Sequence, residues 1–113
     1  MNIHNIAKST ALADNCKLAD RFTSRFLGLM CRKVLLPGSG LIIVPCNSIH
    51  MFFMRFPLDI IFIDKSDTVV FLIENIKPWR FSRIVRKAHS VIELPAGIIH
   101  ESRTEIGDIL KIE

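Results

Sequence analysis

The sequence contains no apolar run of the about 18–20 residues that a membrane-spanning helix requires, because Asp, Lys, Arg and Pro interrupt each candidate. Its first residues, MNIHNIAKSTALADNCKLADRF, lack the basic start and apolar block of a secretory signal. A cytoplasmic address is therefore expected for the chain as it begins here. Cysteine is scarce and unclustered. Cys16, Cys31 and Cys46 include no C-x-x-C pair, and three thiols cannot all pair within one chain, so free and mostly buried thiols are expected. Phosphate-binding loops, zinc motifs and triad motifs are also missing. No internal repeat or Gly/Ser-rich linker divides the 113 residues, which predicts a single domain spanning residues 1–113.

What is present is a globular composition, 50% hydrophobic and 23% charged. The formal charge of +4 is concentrated in one place: Lys77, Arg80, Arg83, Arg86 and Lys87 occur with no acid among them. Without these five, ten bases face eleven acids. Such a patch suits phosphate, an acidic partner or simple solvation.

The opening residues alternate over short stretches, predicting two short strands joined by a turn. From Arg21 to Leu36 the rhythm becomes helical, with Phe22, Phe26, Leu29 and Met30 on one face and Asp20 as N-cap. Pro37-Gly38-Ser39-Gly40 ends that segment. Strands are then predicted over 41–45, 49–54, 58–64, 68–74 and 90–95, all rich in β-branched and aromatic residues. Asp64-Lys65-Ser66-Asp67 joins two of them as a hairpin loop. Because those two strands are apolar at nearly every position, both of their faces should be covered. Ala96-Gly97 ends a strand, and IGDIL leads into a last short strand. The expected fold is mainly β, a small sandwich or jelly-roll-like structure or partly open barrel, with one helix packed across an end. Short loops between strands argue against a βαβ alternation.

Five blocks, GLMCR (28–32), PCNSIHMFFMRFPLDIIFID (45–64), KPWR (77–80), ELPAG (93–97) and IGD (106–108), resemble in order the signatures of domain of unknown function family 192. The resemblance spans roughly residues 20 to 112. It implies a small mainly β domain of sandwich or jelly-roll type and carries no activity with it. Cys31 after GLM and the polar IIHESRTEIGD stretch are the departures from the pattern.

Within these blocks His50 suits a general base or metal ligand, or a buried imidazole bonded to backbone. Cys46 is a nucleophile for it only if Asn47-Ser48 turns, since four extended residues span about 13 Å. Arg55 and Asp59 flank the corner at Phe56-Pro57. Two charges in an apolar stretch need partners, so they are expected to pair with each other, or else Arg55 offers its fork to a carboxylate or phosphate. Trp79 beside Arg80 reads as a ligand-facing pair or as an indole packed on a sheet edge. Glu93 is a lone acid in an apolar strand and a second partner for Arg55 or Arg80. Gly97 and Gly107 serve turns. Met51, Met54 and the Phe cluster are core, and no cofactor or metal is expected.

The leading functional expectation is a non-enzymatic binding module for an anionic small molecule or acidic protein segment, using His50, Arg55, Asp59, Trp79, Arg80 and Glu93. An alternative is a small hydrolase or lyase with His50 as base, oriented by Asp59 or Glu93. Nucleic-acid binding through 77–87, with Trp79 stacking on a base, is a third and ranks last.

Overall fold

The computed structural model describes residues 1–19, 35–49, 51 and 55–113. Among them are eight strands: β1 (Ile3–Asn5), β2 (Thr10–Ala13), β3 (Asn15–Ala19), β4 (Ser39–Ile43), β5 (Leu58–Ile63), β6 (Val69–Ile76), β7 (Ser90–Pro95) and β8 (Leu110–Ile112). One short helix, α1 (Ile98–Ser102), follows β7. The strands form two sheets, β2-β1-β8 and β3-β4-β7-β5-β6. Neither closes into a barrel, and the fold is mainly β, as expected. The amphipathic helix anticipated over 21–36 lies almost wholly outside the described residues, as does most of the strand anticipated over 49–54.

The larger sheet has a core on each side, which explains its sequence. Leu58, Ile60 and Phe62 of β5 enter one cluster with Leu41, Ile43 and Val91. Ile61 and Ile63 enter another with Ile42, Ile92 and Leu94. A strand covered on both faces needs apolar residues at odd and even positions alike, and all six residues of β5 are buried. The second cluster is closed by Ile3, Leu12, Leu110 and Ile99 from the small sheet and α1. Among the described residues, Leu35, Ile49, Met51 and Val85 contribute to the first.

The β5–β6 hairpin forms as expected. Asp64 Oδ1 accepts the Ser66 and Thr68 amides at 2.8 and 3.0 Å, and Asp67 takes a left-handed conformation with φ 60°. This is the local turn chemistry of aspartate. Two expectations need correction. The N-terminal stretch makes three strands rather than two, because Asp14 passes the chain from the small sheet to the large one. The third strand, β3, pairs parallel with β4, a parallel neighbour that the short loops between strands did not lead one to anticipate.

Gly40 lies where β4 is closely approached by its neighbours. A Cβ there would stand 2.9 Å from Leu94 Cδ2 and 3.2 Å from both Cys16 Sγ and the Glu93 carbonyl oxygen. Only glycine allows that separation without displacement.

Candidate functional site

Residues 77–88 form a strap laid antiparallel beside residues 46–49 and Met51. Trp79 N–H donates to the Met51 carbonyl at 2.8 Å, and Met51 N–H donates to the Arg80 carbonyl at 2.6 Å. Ser82 N–H donates to the Ile49 carbonyl, while Ser82 Oγ accepts from Ile49 N–H at 2.9 Å and donates to the Arg83 carbonyl. Val85 N–H donates to Asn47, and at the far end Cys46 N–H donates to His89.

This pinning imposes a three-residue rhythm. Ser82 and Val85 are buried, and Ala88 packs against the first core. The intervening pairs point outward, giving exposed Arg83-Ile84 and Arg86-Lys87, preceded by exposed Trp79-Arg80-Phe81. The relative exposures of Trp79, Phe81 and Ile84 are 59%, 73% and 65%, so three large apolar side chains stand among the cations. The Arg83 guanidinium lies over the Phe71 ring, 5.0 Å from its centroid, a cation–π contact that fixes this side chain against β6. Among the described residues no strap cation takes part in an ion pair; the pairs there involve Lys8 and Lys111.

The other anticipated site residues do not gather here. Asp59 is buried and does not pair with Arg55, which is exposed. Its Oδ1 accepts the Asn75 amide at 2.8 Å, and its Oδ2 accepts those of Gly97 and Ile99 at 3.0 and 2.8 Å. Backbone donors offset its desolvation, which corrects the expected Arg55–Asp59 pair: three fixed amides satisfy a carboxylate at no cost in side-chain order. These three amides give Asp59 a structural role, joining β6 to the start of α1.

Glu93 sits on the opposite face of the sheet. It stands directly across from Leu41 and Ile60, both in the first core, whereas Asp59 stands across from Leu94 in the second. Glu93 is 8% exposed, and burial pushes its carboxyl up to about 7. Asp59 and Glu93 therefore cannot share one surface, and Glu93 is not a partner of Arg55 or Arg80. His50 lies outside the described residues.

Of the thiols, Cys16 is buried and pushed up to about 11, mainly by desolvation, which leaves it protonated and unreactive at neutral pH. Cys46 is half-buried, and its Sγ donates to the Ser48 carbonyl at 2.9 Å. Cys31 lies outside the described residues. Among the described residues no three of His, Cys, Asp and Glu come together as a metal-binding group, and no helix is long and apolar enough to cross a membrane.

Sequence reasoning passed over Phe81 and Ile84. The signal was present in PWRFSRIVRK, where apolar and basic residues interleave, but nothing local marks Ser82 and Val85 as the residues turned inward.

Comparison with known proteins agrees with this architecture. The family described as Uncharacterized ACR, COG1430 (domain of unknown function 192) matches residues 3–112. The chain belongs to this family. A UPF0127 protein of Pyrococcus furiosus is 40% identical over 113 residues, covering 95% of this chain and 94% of its own. Another from Pyrococcus abyssi is 37% identical over 112 residues, covering 94% and 92%. Among solved structures, a protein of unknown function from Novosphingobium aromaticivorans superposes with a TM-score of 0.86 at 22% identity, over 99% of this chain and 84% of that one. A candidate transcription regulator from Sinorhizobium meliloti gives 0.80 at 26% identity, over 97% and 89%. Both solved structures share the fold described above.

Proposed function

We propose that this protein is a binding module, without chemistry of its own, that takes an anion-bearing partner on the 77–87 strap. The observation that carries this reading is the strap itself: five cations with no acid between them, held outward by backbone bonds to Asn47, Ile49 and Met51. A fixed basic surface attracts anions without paying to order itself on binding. Trp79 and Arg80 are the anticipated binding residues that belong to it. Arg55 is exposed and only four residues from Met51, at most about 14 Å of chain, and so lies within reach of the same partner.

The test is binding of polyglutamate by the full chain at several ionic strengths, with Arg80→Ala/Arg86→Ala compared with Lys65→Ala/Lys111→Ala. Both pairs remove two charges. The expected result is binding that weakens steeply with salt, with about a tenfold loss for the strap pair and little for the control. Equal losses, or no binding at low salt, would overturn the reading.

A further inference from the structure

We infer that the anion-bearing partner is an anionic lipid surface, and that the strap docks on it by inserting Trp79, Phe81 and Ile84 between headgroups held by its cations. This rests on the anion-binding reading above and names the partner.

Charge alone does not account for the strap. A loop built only to attract phosphate or carboxylate has no use for three large apolar side chains exposed by 59%, 73% and 65%. Together with Arg80, Arg86 and Lys87 they make the combination that favours the bilayer interface: apolar side chains entering the acyl boundary, tryptophan at headgroup depth, and Arg and Lys on anionic lipid. Each base near such a surface strengthens binding by about fivefold, so the cluster and the apolar residues act together.

Two other occupants fit less well. A single-stranded nucleic acid would use Trp79 and Phe81 as stacking platforms, but Ile84 has no ring face to offer. The Arg83 guanidinium is also already placed over Phe71. An acidic peptide binding in extended form would need a row of free amides. Those of Trp79, Arg80, Ser82, Val85 and Ala88 already donate within the chain, so no regular ladder remains. Docking on a surface of headgroups needs neither stacking nor a ladder.

Trp79 is the sole tryptophan, so its emission reports on the strap without labelling. The full chain is titrated with phosphatidylcholine vesicles, with and without about one-third phosphatidylserine, and cosedimentation is followed in parallel. A blue shift and sedimentation with the anionic vesicles only are expected. Arg80→Glu/Arg86→Glu should weaken vesicle binding by at least about 25-fold. Phe81→Ser/Ile84→Ser should weaken it by about tenfold or more while leaving polyglutamate binding unchanged, and circular dichroism checks that each variant is folded.

Polyglutamate binding without vesicle binding would overturn the lipid inference and leave the anion-binding reading standing. Failure to bind either would remove both. Vesicle binding that ignores Phe81→Ser/Ile84→Ser would overturn insertion. Tighter binding of a single-stranded oligonucleotide than of vesicles, lost in Phe81→Ser/Ile84→Ser, would make nucleic acid the partner instead.

Discussion

Glu93 and Asp59 are acids on adjacent strands, one residue out of direct register, and they solve burial in opposite ways. Asp59 accepts hydrogen bonds from three backbone amides. Glu93 faces Leu41 and Ile60, and burial raises its carboxyl from 4.5 to about 7. The folded chain therefore holds a proton that the unfolded chain releases between those values. The resulting stability is fully present below about pH 4.5 and is lost as pH rises through about 7. Glu93→Gln should remove this dependence and raise stability at pH 8 by roughly 2–3 kcal/mol. Urea midpoints of both proteins at pH 5 and pH 8 measure it. If Glu93→Gln loses stability over that interval as steeply as the parent, burial is not what shifts the group.

At the scale of elements, Asp59 joins three pieces that the chain supplies far apart. It holds β6 at Asn75, whose φ is 53°, and it receives the first amides of α1 from Gly97 and Ile99. Gly97 itself has φ 103°, a left-handed conformation that favours glycine. A five-residue helix is too short to form alone, so α1 depends on this carboxylate. Asp59→Asn leaves one acceptor oxygen for three donors and turns an NH2 toward an N–H. The expected cost is about 2–4 kcal/mol, with faster hydrogen exchange at Gly97 and Ile99. An unchanged urea midpoint would return Asp59 to the list of functional groups. The contrast with the β5–β6 hairpin is instructive. Asp64 caps its own turn from two and four residues away, so that element was legible locally. The capping partner of α1 is 38 and 40 residues distant, and IIHESRT alone reads only as an irregular polar stretch.

For the whole molecule, the two ends of the chain are clasped by a buried polar cluster with no counterpart among the sequence motifs. Asn5 Nδ2 donates to Thr104 Oγ1 at 3.1 Å and to Asp108 Oδ2 at 2.9 Å, while Lys8 Nζ reaches both Asp108 oxygens. Burial by itself would raise Asp108. Hydrogen bonds from Asn5, Lys8 and the Glu105 amide outweigh it and leave the carboxyl lowered. Its contribution is present above the ordinary carboxylate range and is lost as pH falls through its folded value, opposite in sign to that of Glu93. Asn5→Ala should cost about 2–3 kcal/mol by removing two buried side-chain hydrogen bonds and the acceptor of the Lys8 amide and should loosen β1 and β8 together in hydrogen exchange. Lys111→Ala, at a pair with Glu113 exposed on both sides, should change stability by less than about 1 kcal/mol. Similar urea midpoints for the two variants would show that the clasp does not hold the small sheet.

Much of the fold was determined by the sequence because its causes are local. Apolar residues at both odd and even positions of 58–63 required cover on two faces, Asp64 to Asp67 required a turn, and the ordered blocks from PCNSIHMFFMRFPLDIIFID onward pointed to the family. The site was legible only in part. The five cations and Trp79 stand in one contiguous stretch, and contiguity survives folding. Which acids join them is a question of sheet face and partner, and strand parity alone could not answer it without the register. Only the tertiary structure decided that Asp59 turns toward α1, that Glu93 turns away from it, and that Ser82 and Val85 are drawn inward so that Trp79, Phe81 and Ile84 face out. Each of those outcomes depends on groups more than a dozen residues away, whose geometry no local pattern encodes.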